Sequence, residues 1–165
     1  MEYQTHNHEF PPVWNKQSRI LILGSFPSVK SREQGFFYGH PRNRFWKVLS
    51  SVFACEEPMT IEEKKKMLLT HGIALWDVIA SCEIKGSSDS SIRNVVTNDF
   101  SEILQKSQVR AIFTNGQTAG KLYQKYVEKK TGLMATTLPS TSPANAAWTL
   151  ERLVESYREA LEEWL

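Results

Sequence analysis

The sequence predicts a three-layer α/β/α fold on a four-stranded, mostly parallel sheet, and three observations carry that prediction. Short apolar runs recur four times, each of strand rather than helix length. Amphipathic helical stretches separate them. Small, polar or turn-forming residues close each run. Strands alternating with helices imply right-handed crossovers and a sheet covered on both faces.

The elements follow in order. The first 18 residues are polar and Pro-containing, and are expected to wrap the surface as irregular coil. Arg19-Ile20-Leu21-Ile22-Leu23, ending at Gly24, reads as a buried strand. Asn43 to Ala54 reads as a helix, because Phe45, Val48, Leu49, Val52 and Phe53 share a face. Thr60 and Glu63 form a capping box for a helix through Leu69, stopped by Gly72. Ile73-Ala74-Leu75-Trp76 is a second strand, and Asp99 to Lys106 a short helix with Phe100, Ile103 and Leu104 inward. Val109 to Phe113 is a third strand. Gln117 to Val127 is helical, and Leu133 to Leu138 is the fourth strand. Ser142 caps the last helix with Pro143 at its first position, and that helix runs to the end of the chain.

The 165 residues are expected to form one domain, with no repeat, linker or low-complexity segment. Apolar residues make up 41% and charged residues 23%, an ordinary globular balance. No apolar run approaches membrane-helix length, and Met1 to His6 has no signal-peptide character. Two cysteines, Cys55 and Cys82, form no CxxC motif and fit a reducing, cytoplasmic setting. The net charge of +2 does not by itself announce a nucleic-acid binder. Its distribution says more: Lys30, Arg32, Arg42, Arg44 and Lys47 lie between Ser28 and Lys47, with Glu33 the only acid among them. A scattered, solvated surface accounts for these charges equally well.

In open α/β sheets, ligands bind beyond the carboxyl ends of the strands. Those ends carry Gly24-Ser25-Phe26-Pro27-Ser28, then Asp77 with Ser81-Cys82, then Thr114-Asn115-Gly116-Gln117, then Pro139-Ser140-Thr141-Ser142-Pro143. Each leads toward a helix N-terminus, where free N–H groups suit phosphates and polar carbonyls. The first tip lacks GxGxxG spacing and a Walker lysine. It reads as a rigid turn holding the Phe26 ring over a pocket, where it stacks on a base or simply joins the core. Gly35 to Trp46 is dense in aromatics and cations, including Tyr38, His40, Arg42 and Arg44. That mixture suits phosphate contact and base stacking. Asn43 sits at a helix start, where Asn is also a common cap. Asp77 is equally a base-reading carboxylate or a cap. Ser87-Ser88-Asp89-Ser90-Ser91 reads as a flexible loop touching phosphate, or as solvated coil.

Leu23-Gly24-Ser25-Phe26-Pro27-Ser28, Phe37 to Trp46 and Leu138-Pro139-Ser140-Thr141-Ser142-Pro143-Ala144-Asn145 together resemble the uracil-DNA glycosylase superfamily. Within it the chain looks like the hypoxanthine (deoxyinosine) DNA glycosylase branch, from about Phe10 to the last helix. The resemblance implies a monofunctional enzyme of base excision repair that flips a deaminated base into a pocket and hydrolyses its bond to the sugar. Most of the superfamily has Asp or Asn where this chain has Phe26, and the uracil-specialised branches have His where it has Ser140. The hypoxanthine branch implies Asn43 as the catalytic residue. Asn is a poor base, so the reaction is expected to be dissociative, with Asn43 orienting water. Ser140 or Ser142 and backbone N–H groups would stabilise the departing base.

Substrate binding is thus assigned to Gly24, Ser25, Phe26, Pro27, Ser28, Tyr38, His40, Asp77 and Asn115, with Phe26 stacking and Asp77 and Asn115 reading the base edge. DNA contact is assigned to Arg42, Arg44 and Ser140, Thr141, Ser142, Pro143, Ala144 and Asn145. Ala144 occupies the usual wedge position but is small, which turns attention to Asn145 or to another loop. His6, His8 and His71 form no metal constellation, and His6 and His8 read as surface residues. Two cysteines cannot supply a four-Cys iron–sulfur cluster. No cofactor, metal or membrane partner is expected, and a monomer is the simplest state. The rival readings are a non-catalytic damaged-DNA-binding module, a uracil-preferring glycosylase, and an unrelated hydrolase of nucleotides or phosphoesters. The last finds no GxSxG elbow, carboxylate cluster or Walker sequence.

Overall fold

The computed structural model describes residues 2–165. In chain order its elements are β1 (Gln4–Asn7), β2 (Ile20–Gly24), α1 (Val29–Gln34), α2 (Phe45–Val52), α3 (Ile61–Thr70), β3 (Ile73–Asp77), β4 (Ile79–Ile84) and β5 (Arg93–Thr97). There follow α4 (Ser101–Lys106), β6 (Ala111–Asn115), α5 (Gln117–Tyr126), α6 (Glu128–Thr131), β7 (Ala135–Leu138) and α7 (Leu150–Leu161).

The main sheet has the order β3-β2-β6-β7 and is parallel throughout. Its central strand β2 is buried at all five positions, which explains its unbroken apolar run. Successive β2 side chains serve opposite faces. Ile20 and Ile22 join Trp46, Leu49, Leu68, Leu153 and Tyr157 on the side of α2, α3 and α7. Leu21 and Leu23 join Ile103, Tyr123 and Val127 on the other side. The three layers match the expected fold.

A second sheet, β1-β4-β5, is antiparallel and was not anticipated. Gln4 pairs with Ile84 and Asn7 with Ser81. The N-terminal segment is therefore ordered rather than coil: β1 extends one sheet, and Val13 bridges Leu75 of β3. Ser81 and Cys82, read as loop residues at a strand tip, lie inside β4, with Cys82 buried. Irregular pairing between β4 and β5 breaks the two-residue alternation that would reveal a strand.

Local signals succeeded at α3, where Thr60 accepts from Glu63 N–H at 3.1 Å and Gly72 takes a left-handed φ of 72°. They failed at α7. That helix starts at Leu150 under Thr149, which accepts from Arg152 N–H at 3.2 Å, and not at Pro143 under Ser142. The carbonyls of Ser142, Asn145 and Trp148 are taken by the Arg44 guanidinium, so Ser142 to Trp148 forms successive turns. The aromatic segment likewise enters α2 at Phe45 rather than Asn43. The strands expected at Val109 and Leu133 begin two residues later, at Ala111 and Ala135.

Candidate active site

The carboxyl ends of β2, β3, β6 and the loop after β7 meet around a cavity of about 460 Å³. Gly24 ends β2 because nothing larger fits: a Cβ there would collide with Asp77 Oδ1 and lie 2.9 Å from the Tyr38 hydroxyl. Phe26, 8% exposed, belongs to the core and also borders the cavity. The Arg32 guanidinium lies 5.6 Å from its ring and donates to Pro27 O and Gly86 O, tying this turn to the loop before β5.

That loop is a wall of the cavity, with Ser87 to Asp89 among the lining residues. Ser87 Oγ accepts from Val29 N–H at 2.8 Å, and Ser25 donates to Asp89 Oδ1 at 3.1 Å. These bonds tie the loop to the β2–α1 segment, while Ser87 to Ser90 remain exposed to solvent as expected.

Asp77, at the end of β3, is buried and faces the cavity. It does not cap a helix. His8 Nε2–H donates to its Oδ2 at 2.8 Å. Contrary to the surface position that the sequence suggests for His8, its side chain is only 2% exposed. It packs between Phe10 and Phe37, with ring centroids 4.4 and 5.8 Å away. The available signal was the alternation His6, His8, Phe10, which carries β1 toward the site.

Tyr38 has a left-handed φ of 52° and stacks on Phe45 at 4.1 Å. Its buried hydroxyl makes no hydrogen bond within the protein. Burial, and secondarily the Asp77 carboxylate, push this phenol far above its ordinary pKa, so it remains a donor. His40 Nδ1 accepts from Arg42 N–H at 3.0 Å, shaping the exposed turn that carries Arg42.

Asn43, Asn115 and Thr141 form one network. Asn115 Oδ1 accepts from Thr141 N–H at 3.0 Å, and its Nδ2 donates to Thr141 Oγ1 at 2.9 Å. Thr141 Oγ1 donates to Asn43 Oδ1 at 2.8 Å, and Phe45 N–H reaches the same oxygen at 3.0 Å. Asn115 lines the cavity, but both ends of its amide hold Thr141.

The loop after β7 is shaped by its own hydroxyls. Ser140 Oγ accepts from Ser142 N–H, and Ser142 Oγ accepts from Ala144 N–H, each at 3.1 Å. Each hydroxyl proton stays available to a ligand. Asn145 Nδ2 donates back to Ser140 O at 3.0 Å, so Asn145 braces the loop instead of projecting as a wedge. Pro143 and Ala144 stand exposed at the rim. Arg44, expected to contact DNA, points inward: it donates to Ser142 O and Asn145 O at 3.1 Å and to Trp148 O.

Among the described residues, no three His, Cys, Asp or Glu side chains gather to hold a metal ion. Among them, too, no helix is long and apolar enough to cross a membrane.

Comparison with known proteins agrees with this geometry. A model of the uracil DNA glycosylase superfamily matches residues 11–165. A hypoxanthine DNA glycosylase of Methanosarcina acetivorans is 36% identical over 154 residues, covering 92% of this chain and 95% of its own. A second, from Methanosarcina barkeri, is 32% identical over 114 residues, covering 68% and 72%. The solution NMR structure of a candidate uracil DNA glycosylase from M. acetivorans superposes with a TM-score of 0.76 at 34% identity, covering 91% of this chain and 95% of that one.

Proposed function

This chain belongs to the uracil-DNA glycosylase superfamily, and from that premise we propose that it is a monofunctional DNA glycosylase of base excision repair. Its substrate is a deaminated base, hypoxanthine first, whose N-glycosidic bond it hydrolyses. The relatives named hypoxanthine DNA glycosylase support that choice of base.

The observation that carries the reading is the cavity where the parallel strands end. Its volume of about 460 Å³ lies in the range of small-molecule sites and admits one extruded base. Phe26 offers a ring to stack on. Asp77 Oδ1, with Oδ2 held by His8, is free to accept from the N–H beside the hypoxanthine carbonyl. The Tyr38, Ser140 and Ser142 hydroxyls supply donors.

The chemistry follows from what is missing as much as from what is present. An Asn amide cannot take a proton from water, and the free oxygen of Asp77 is the one assigned to the edge of the base rather than to water. The glycosidic bond therefore breaks ahead of water attack, and its electron pair leaves with the base. The sugar becomes an oxocarbenium ion, stabilised by the flanking phosphates, and water captures it at C1′. Donors around the base stabilise the departing anion. Exposed Arg42 and the Ser140 to Asn145 loop would grip the distorted strand, the loop entering the minor groove; Thr141, wholly buried, does not make the DNA contact expected of it. A monomer working on DNA in the reducing cytoplasm, where Cys55 and Cys82 remain free thiols, completes the proposal.

The test is alkali-induced strand cleavage of a labelled duplex bearing one deoxyinosine, beside a matched uracil duplex. Wild type is expected to excise hypoxanthine, and Asn43→Ala to lose that activity. Cleavage of uracil alone would overturn the base assignment. Tight binding of the inosine duplex without cleavage would replace the enzyme with a damage-binding module.

A further inference from the structure

We infer that Thr141 is a positioning residue that locks Asn43 with its amide NH₂, rather than its carbonyl oxygen, turned to the reacting centre. Asn43 then works as a hydrogen-bond donor. The inference rests on the glycosylase reading above and specifies how its catalytic residue acts.

Two backbone N–H groups fix the direction of every bond in the network, because a backbone N–H can only donate. Phe45 N–H, 3.0 Å from Asn43, identifies the atom it meets as the side-chain oxygen. Thr141 N–H, 3.0 Å from Asn115, does the same for Asn115. Asn115 must therefore present its NH₂ to Thr141 Oγ1, at 2.9 Å. Thr141 Oγ1, having accepted there, sends its own proton to Asn43 Oδ1, at 2.8 Å. The Asn43 oxygen thus receives two donors, which fill its two lone pairs. Its NH₂ makes no bond to the protein and is the group left for the cavity that Asn43 lines.

Thr141 is 0% exposed, so water does not compete for this relay. Bonds in such a chain polarise one another, and two donors on an amide oxygen make its N–H protons better donors. An oxygen already doubly engaged has nothing to offer the protons of an attacking water. A polarised NH₂ can instead donate to the water oxygen, or to the atom that gains electron density as C1′ parts from the base nitrogen. In that step the C1′–N electron pair goes to the base, and the water oxygen bonds to C1′ and sheds a proton to solvent. Asn43 neither gains nor loses a proton.

The test compares wild type, Thr141→Val, Thr141→Ser, Asn43→Ala and Asn43→Asp in single-turnover excision from a deoxyinosine duplex. Duplex affinity is measured by fluorescence anisotropy and folding by thermal melts. Thr141→Val keeps the side-chain shape and the backbone donor but removes the hydroxyl. It is expected to lower the chemical rate about tenfold or more while duplex affinity holds. Thr141→Ser restores the hydroxyl and is expected to restore most of the rate. Asn43→Asp substitutes acceptors for the donor and is expected to be no more active than Asn43→Ala.

A wild-type rate in Thr141→Val, or an Asn43→Asp enzyme faster than Asn43→Ala, would overturn the inference. If Thr141→Val does not fold, the Asn43 pair decides alone. A wild type inert on inosine and uracil alike would remove the glycosylase reading, and this inference with it. Excision by wild type with an unimpaired Thr141→Val would remove only the positioning role.

Discussion

His8 Nε2 lies 2.8 Å from Asp77 Oδ2 across 69 residues of sequence, with both side chains almost wholly buried. The contact joins the residue that follows β1 to the carboxyl end of β3, where Asp77 lines the cavity. It leaves Asp77 one free oxygen and a single orientation. Replacing His8 by Phe preserves the ring packing against Phe10 and Phe37 but strips the donor from a buried carboxylate. Hydrogen bonds to charged groups are worth about 1.5–3 kcal/mol, so His8→Phe is expected to lower stability by about 2 kcal/mol in urea unfolding. Excision of hypoxanthine should fall more than excision of uracil, because the freed carboxylate can turn away from the base. An unchanged midpoint with an unchanged ratio of the two activities would show that the pair neither stabilises the fold nor reads the base.

Arg42 and Arg44 stand two residues apart and face opposite ways. Arg42 is exposed on its turn, whereas the Arg44 guanidinium serves the carbonyls of Ser142, Asn145 and Trp148. A phosphate contact contributes about 0.9 to the slope of log affinity against log salt. Arg42→Ala is therefore expected to flatten that slope by about one contact's worth. Arg44→Ala should weaken duplex binding at every salt concentration, with the slope intact, because it loosens the loop and removes no phosphate contact. Arg44→Lys should not rescue, since a single ammonium cannot span three carbonyls. A flattened slope in Arg44→Ala would place that side chain on the DNA backbone after all.

These contrasts show what the sequence could and could not disclose. The parallel sheet was legible because Ile20 to Leu23 is apolar at every position, as a strand covered on both faces must be. The cavity was legible as well, since strand tips of such sheets collect ligands and Phe26, Asn43, Asp77 and Ser140 all reach it. The antiparallel sheet was not, because Gln4–Asn7 is polar throughout and β4 is irregularly paired. Ser142-Pro143 carried every local mark of a helix start, yet Arg44, 98 residues away, claimed the Ser142 carbonyl. His8 and the proton directions around Thr141 depend on equally distant partners, at 69 and 98 residues. Local propensity has no access to these.

The two thiols should differ in reactivity by more than exposure alone dictates. Cys82 is 1% exposed, and burial pushes its thiol from the ordinary 9.0 up to about 11, against an opposing pull from Arg32. Only the thiolate attacks disulfide reagents. At pH 8 an aromatic disulfide is therefore expected to modify exposed Cys55 rapidly and Cys82 only when the protein unfolds. The same shift links to stability. A thiol whose folded pKa is raised binds more protons folded than unfolded between about pH 9 and 11, so the stability it contributes is complete below that window and declines through it as pH rises. Cys82→Ala should flatten the fall in stability over that interval. Rapid reaction of both thiols at pH 8 in the folded protein, with two equivalents of chromophore released in one phase, would mean that Cys82 is reached by solvent from the neighbouring loop.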